Sequence, residues 1–278
     1  MTAATMTEPQ STLGPIPAGR YGFGGVLLSE WTKIRSVRST VWTVLVTAIV
    51  GVGLGAIVTS AQAARWSSRT LAEQATFDPT RSSLAGLLFA QLAIGVLGVL
   101  VVSAEYSTGT IRATFSAAPR RPLVLMAKIA VFSAVSLAVG EAVSFVAFLI
   151  GQSLLSGKTP TASLSDPNVL RAVLGGGLYL FALGLLALGL ASIIRHTAAA
   201  ISTFVGLLLI LPIIVAALPS SLSDDINRYL PANIGTVMLT ANYHGTDPFG
   251  PWTGFALLCG YAVVALVVGG VLLVRRDA

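Results

Sequence analysis

The chain has 278 residues, of which 54% are hydrophobic and only 10% charged, against about a quarter charged in soluble domains. A soluble domain cannot hide that much apolar surface, so the composition excludes one and points to a polytopic membrane protein. The net charge of +6 lies in loops between apolar runs, with no basic stripe or aromatic-interleaved patch, which argues against nucleic acid as a partner.

Residues 1–25 are rich in Thr, Pro and Gly and hold no apolar run suited to a signal peptide. Such a composition predicts a disordered cytoplasmic tail, leaving 26–278 as one membrane domain. That domain opens with VLLSEWTKIRSVR, which places Leu27, Leu28, Trp31 and Ile34 on one side of a helix and Ser29, Thr32, Lys33 and Ser36 opposite. Lys33, Arg35 and Arg38 can reach lipid headgroups while Trp31 sits at the interface, the pattern of a helix lying on the membrane.

Six charge-poor runs follow, at about 40–60, 84–104, 124–150, 172–194, 197–219 and 253–274. Each is long enough to cross a bilayer core as a helix, which takes roughly 20 apolar residues. An even number of spans puts both termini on one side. With the termini inside, only Arg65, Arg69, Arg81, Lys158, Arg171 and Arg228 lie outside, and the other eleven Lys and Arg residues lie inside. The excess places the termini in the cytoplasm and the protein in the cell membrane. Gly51 and Gly55 in the first span form a G-x-x-x-G suited to close packing within the chain. Between the second and third spans lies EYSTGTIRATFSAAPRRPLVLMAK, Glu105 to Lys128. Ser107 and Thr108 are candidate caps for a helix start, Gly109 permits a tight turn, and Ile111 and Phe115 share a face at i, i+4 spacing. Pro119 stops the helix, and Arg120, Arg121 and Lys128 mark a cytoplasmic edge.

Glu105, Gly109-Thr110, Arg112, Pro119 with Arg121, and Lys128 together resemble the first cytoplasmic loop of ABC-2 type transporter permeases. The resemblance implies a short coupling helix that docks on a separate cytoplasmic ABC ATPase subunit, with Glu105, Tyr106, Gly109, Thr110, Arg112 and Phe115 as the coupling residues. It makes SEWTKIRS an elbow helix before the first span. It also implies a second permease subunit, identical or paralogous, to complete a pathway for a hydrophobic or amphipathic small molecule or peptide. ATP and Mg would be used by the partner, with no cofactor on this chain. The implied fold is all-α, with six transmembrane helices, the elbow and coupling helices, and a re-entrant helical segment before the last span.

Further along, Arg195 and His196 alone separate the fourth and fifth spans, which predicts a tight hairpin with His196 as a solvated turn residue. Pro212 should bend the fifth span. In the long outer loop Tyr229–Leu239 is too short to cross, and Leu230-Pro231 with Asn233 resembles the family's re-entrant segment. The chain carries little catalytic chemistry. GQSLLSGKT from Gly151 imitates a phosphate-binding loop, but five residues separate Gly151 from Gly157 where four are needed. His196, His244 and Cys259 assemble no metal site.

Glu141 stands inside the third span, where a carboxylate costs about 2.5–3.5 kcal/mol on insertion scales. Two readings compete for it: a substrate or proton contact in a translocation path, and a structural hydrogen bond to Ser136, Ser144 or a facing helix. The first suits a rival class, a stand-alone ion- or proton-coupled transporter. A third class is a sensory or assembly subunit that moves nothing.

Overall fold

The computed structural model describes residues 22–110, 121–242 and 249–275, and among these every regular element is helical. The first helix, α1 (Phe23–Ser36), includes residues 23–25, so these are helical and not tail. Val37, with extended backbone, turns the chain from α1 into α2 (Arg38–Ala64). Two short helices follow, α3 (Leu71–Ala75) and α4 (Pro79–Ser83). The second and third long helices are α5 (Leu87–Ser107) and α6 (Arg121–Leu155). Next come α7 (Val169–Ile194) and α8 (Thr197–Ala216), then α9 (Ser220–Asn227), α10 (Pro231–Thr236) and α11 (Pro251–Arg275).

Six of these, α2, α5, α6, α7, α8 and α11, are long and apolar enough to span a membrane. They overlap the six runs expected from the sequence, because an uninterrupted apolar stretch in lipid must satisfy its backbone internally and a helix does so. The spans α5 and α7 form the centre. Fully buried Leu84, Leu87, Ile94 and Leu97 meet Phe132 and Phe148 of α6, Leu180, Leu183 and Leu188 of α7, and Phe204 of α8. The outer spans show apolar faces such as Trp42 and Ile49 on α2 and Ile213 and Ile214 on α8.

Backbones approach closely where α2 crosses the start of α5. A methyl group on Gly86 would collide with the Gly51 carbonyl and the Gly55 amide, while Gly51 itself faces Val143 and Ala90. The G-x-x-x-G of α2 therefore packs within the chain.

Three local expectations change. The hydroxyls of Ser107 and Thr108 donate back to the Ala104 carbonyl and finish α5, and the helix they are expected to cap lies outside the described residues. On α1 the buried residues are Val26, Glu30 and Ile34, whereas Leu28 and Trp31 are exposed. The face turned to the bundle thus follows an acid, and the apolar face points outward where lipid would lie. Third, α6 begins at Arg121 and spans 35 residues, about 50 Å at helical rise. It carries Lys128 inside the bundle at one end and Gln152 at the other.

Arg195, in the left-handed conformation, closes α7, and the His196 Nδ1 accepts from the Ala199 N–H at 3.4 Å to open α8. The irregularity expected at Pro212 is a π turn over Gly206–Ile210, just before the proline. Before α11, α9 and α10 form two short helices, and α10 runs on as a 3-10 turn, Val237–Leu239. Gly235 lets α10 rest directly on the ring of Tyr179 and on Leu258.

Candidate functional site

The base of the bundle, where α5 ends and α6 begins, holds a closed ring of four charges. The Lys128 ammonium donates to Glu30 Oε2 at 2.6 Å and to Glu105 Oε1 at 2.7 Å. Lys33 donates to Glu30 Oε1 at 2.7 Å and to the same Glu105 oxygen at 2.8 Å. Side-chain exposure is 2% for Glu30, 5% for Lys128 and 11% for Glu105, against 36% for Lys33. Two carboxylates and two ammoniums cancel, so the ring takes no net charge out of water. That matters because a buried ion left unpaired costs several kcal/mol, about 3–5 when one partner is removed.

Helical spacing builds the ring. Glu30 lies one turn from Val26 and one from Ile34, on the face of α1 that packs against Val124 and Ala127 of α6. Lys128 sits two turns into α6, about 10 Å from its start. An ammonium has three hydrogens, and those of Lys128 reach Glu30, Glu105 and, at 3.5 Å, the Val101 carbonyl. For Lys33, burial alone would push the ammonium down, but its hydrogen bonds to Glu105 and Glu30 and their negative charge outweigh it and hold its pKa above the ordinary 10.5.

A second contact ties α5 to two further spans. The Arg195 guanidinium lies over the Tyr106 ring, 5.4 Å from its centroid, and donates to the Leu272 carbonyl of α11 at 2.8 Å. Arg121 donates to the neighbouring Leu273 carbonyl at 3.3 Å. Thus the connection between α5 and α6 is fastened on both sides: Glu105 and Tyr106 before it, Arg121 and Lys128 after it.

The sequence-selected residues divide accordingly. Glu105 and Tyr106 turn inward, into the ring and under Arg195. Gly109, with φ of +71° and open space around it, and Thr110, whose hydroxyl meets that of Thr108 at 2.9 Å, are exposed. Arg112 and Phe115 lie outside the described residues. Glu141 is remote from this group. Its carboxyl lies against Gly177 of α7, with Oε2 buried and unpartnered among the described residues. The hydrogen bond considered with Ser136 or Ser144 is absent, since those hydroxyls donate to the Ser133 and Val173 carbonyls. Glu30 escaped the sequence reading, although it is the lone acid in a basic helix and stands at i−3 from Lys33.

Fold and base together define a multi-pass helical membrane protein whose first helix is locked by ion pairs to its second and third spans. The chain belongs to a known family: the model described as ABC-2 family transporter protein matches residues 26–212, from α1 to the proline of α8. Membership makes it a permease component of an ABC transporter, a membrane transport part and not a catalytic domain. No curated protein matches the chain.

Proposed function

We propose that this chain is the membrane subunit of an ATP-driven exporter, with its base and both termini in the cytoplasm of a cell-membrane complex. A separate ATPase, using ATP and Mg, docks on the connection between α5 and α6, and a second permease copy or paralogue completes the pathway. The observation that supports this reading is the ring of Glu30, Lys33, Glu105 and Lys128. A push on a floppy loop dissipates, whereas a push on a segment whose flanks are ion-paired to α1, α5 and α6 moves those helices as one body. In this scheme Glu105 and Tyr106 anchor the segment, Gly109 and Thr110 shape its turn, and Arg112 and Phe115 meet the ATPase.

The test is affinity capture of the chain from its host in mild detergent, with mass spectrometry of stoichiometric partners. A nucleotide-binding subunit that accompanies the wild type and is lost with Arg112→Ala supports the reading. Glu105→Ala is a poor probe of docking because it opens the ring. Recovery of the chain with no ATPase, under conditions that preserve other membrane complexes, overturns the scheme. The Glu141 Oε2, buried and without a partner among the described residues, then favours the second reading, a self-sufficient ion- or proton-coupled transporter whose activity survives loss of every ATPase.

A further inference from the structure

The opposite end of the bundle carries two adjoining cavities that share Arg81 and Ala85. One, of about 580 Å³, is polar. The other, of about 440 Å³, is a groove between α5, α8 and α10, within the roughly 300–1,000 Å³ typical of ligand sites.

The charged groups of the polar cavity are already engaged, with one exception. Asp78 Oδ1 accepts the Thr80 and Arg81 N–H groups, and its Oδ2 accepts those of Ala241 and Asn242 at 2.9 and 3.2 Å. Glu73 closes a capping box with Thr70. Arg69 stacks over Trp66 and Phe77 and reaches Gln62. Arg81 is different: it is exposed and its guanidinium makes no hydrogen bond or ion pair among the described residues.

From that cation the groove runs along an apolar wall of Leu88, Phe89 and Leu92 on α5, Leu209 on α8 and Leu239. Its polar side chains are occupied elsewhere. The Asn233 amide donates to the Asn227 carbonyl, the Thr236 hydroxyl to the Asn233 carbonyl, and Gln91 is bound by the Tyr179 hydroxyl. Leu209 enters the wall from the π turn of α8, a distortion that often marks functional sites. Pro212, one turn on, has no N–H to restore the regular ladder.

An apolar slot with a cation at its mouth that is unspent among the described residues fits one kind of occupant. We infer that the groove binds a single-tailed amphiphile with an anionic head, the tail lying along Leu88, Phe89, Leu92 and Leu209 and the head on Arg81. This narrows the amphipathic cargo proposed above to anionic amphiphiles, and to that extent it rests on that reading. Binding itself requires neither ATPase nor nucleotide, so it is measured without them, and failure of one claim is distinguishable from failure of the other.

The test uses the full chain in nanodiscs of zwitterionic lipid, labelled with a diazirine-bearing dodecanoate and, separately, with a matched dodecyltrimethylammonium probe. The expected result is dodecanoate adducts on Leu88–Leu92 and on residues 232–239. Arg81→Gln should lower them about tenfold, the loss of one charge-assisted hydrogen bond. Arg81→Lys should retain most of the labelling, and Ala232→Trp should abolish it by filling the slot. Because Arg81 is exposed, neither variant of it should shift thermal unfolding. Equal labelling of the groove by the cationic probe overturns the inference. So does an undiminished signal with Arg81→Gln, or adducts spread evenly over the outward face of α2.

Discussion

Replacing Lys128 with Met removes the one ammonium that is both deeply buried and bonded to two carboxylates. Its side chain is 5% exposed and lies 2.6 and 2.7 Å from Glu30 and Glu105, so the variant leaves two acids sharing Lys33 alone. One negative charge is then uncompensated where water is scarce, and the loss expected is about 3–5 kcal/mol. Lys33→Met likewise removes two bonds to carboxylates, without the third that Lys128 makes to a carbonyl, from a side chain that is 36% exposed. Solvent screens that site and Lys128 still holds both acids, so the loss there should be about 1 kcal/mol or less. Adding Glu30→Gln to Lys128→Met restores neutrality, and the two changes should couple by roughly 1–3 kcal/mol. Reversible unfolding of the purified chain in micelles, run as a double-mutant cycle, measures all three. A Lys128→Met variant within about 0.5 kcal/mol of the parent, or one less damaging than Lys33→Met, would refute the assignment of the ring as the clamp at the base.

Four other outcomes are expected. Gly86→Ala drives a methyl into the Gly51 carbonyl and should cost about 1–3 kcal/mol through overpacking, read in the same unfolding assay. Glu141→Gln removes a carboxyl whose Oε2 has no partner among the described residues, so stability should hold or rise by about 1 kcal/mol; a large loss would mean that the carboxylate has a partner. Glu73 is held below its ordinary 4.5, chiefly by the Thr70 N–H, so its support of α3 is full above 4.5 and lost as pH falls through the depressed value. Amide exchange at residues 71–75, relative to intrinsic rates, should therefore accelerate in acid, and Glu73→Gln should abolish that dependence while still capping. The raised pKa of Lys33 has the opposite sense. Its contribution is complete below 10.5 and fades as pH climbs through the folded-state value, and Lys33→Met should flatten that alkaline loss in a thermal-stability profile.

The spans were legible because their signal is local and large. Runs such as LLFAQLAIGVLGVLVVSA have only one structure available in lipid, whichever helices surround them. Boundaries moved where a few polar residues had two uses. Ser107 and Thr108 read as the start of a helix, yet their hydroxyls also donate to the Ala104 carbonyl and so end α5. The base was half legible. Glu105 and Lys128 drew notice as charges beside apolar runs, but the direction of each side chain depends on which helix stands next to it. Glu30 had a weaker signal still, one acid among cations in a helix whose apolar residues suggested a different buried face.

Composition and the lengths of the apolar runs therefore determined that this is a six-span helical membrane protein, and the motif from Glu105 to Lys128 separately carried its resemblance to a transporter family. Tertiary structure decided that Lys128 turns inward, that Glu30 meets it across 98 residues of chain, that Glu141 has Gly177 for a neighbour, and that the Arg81 guanidinium is left without a hydrogen bond or ion pair among the described residues. The division has a physical cause. Transfer into lipid is a sum over residues and can be read one residue at a time, whereas an ion pair exists only when packing brings two distant side chains within about 3 Å.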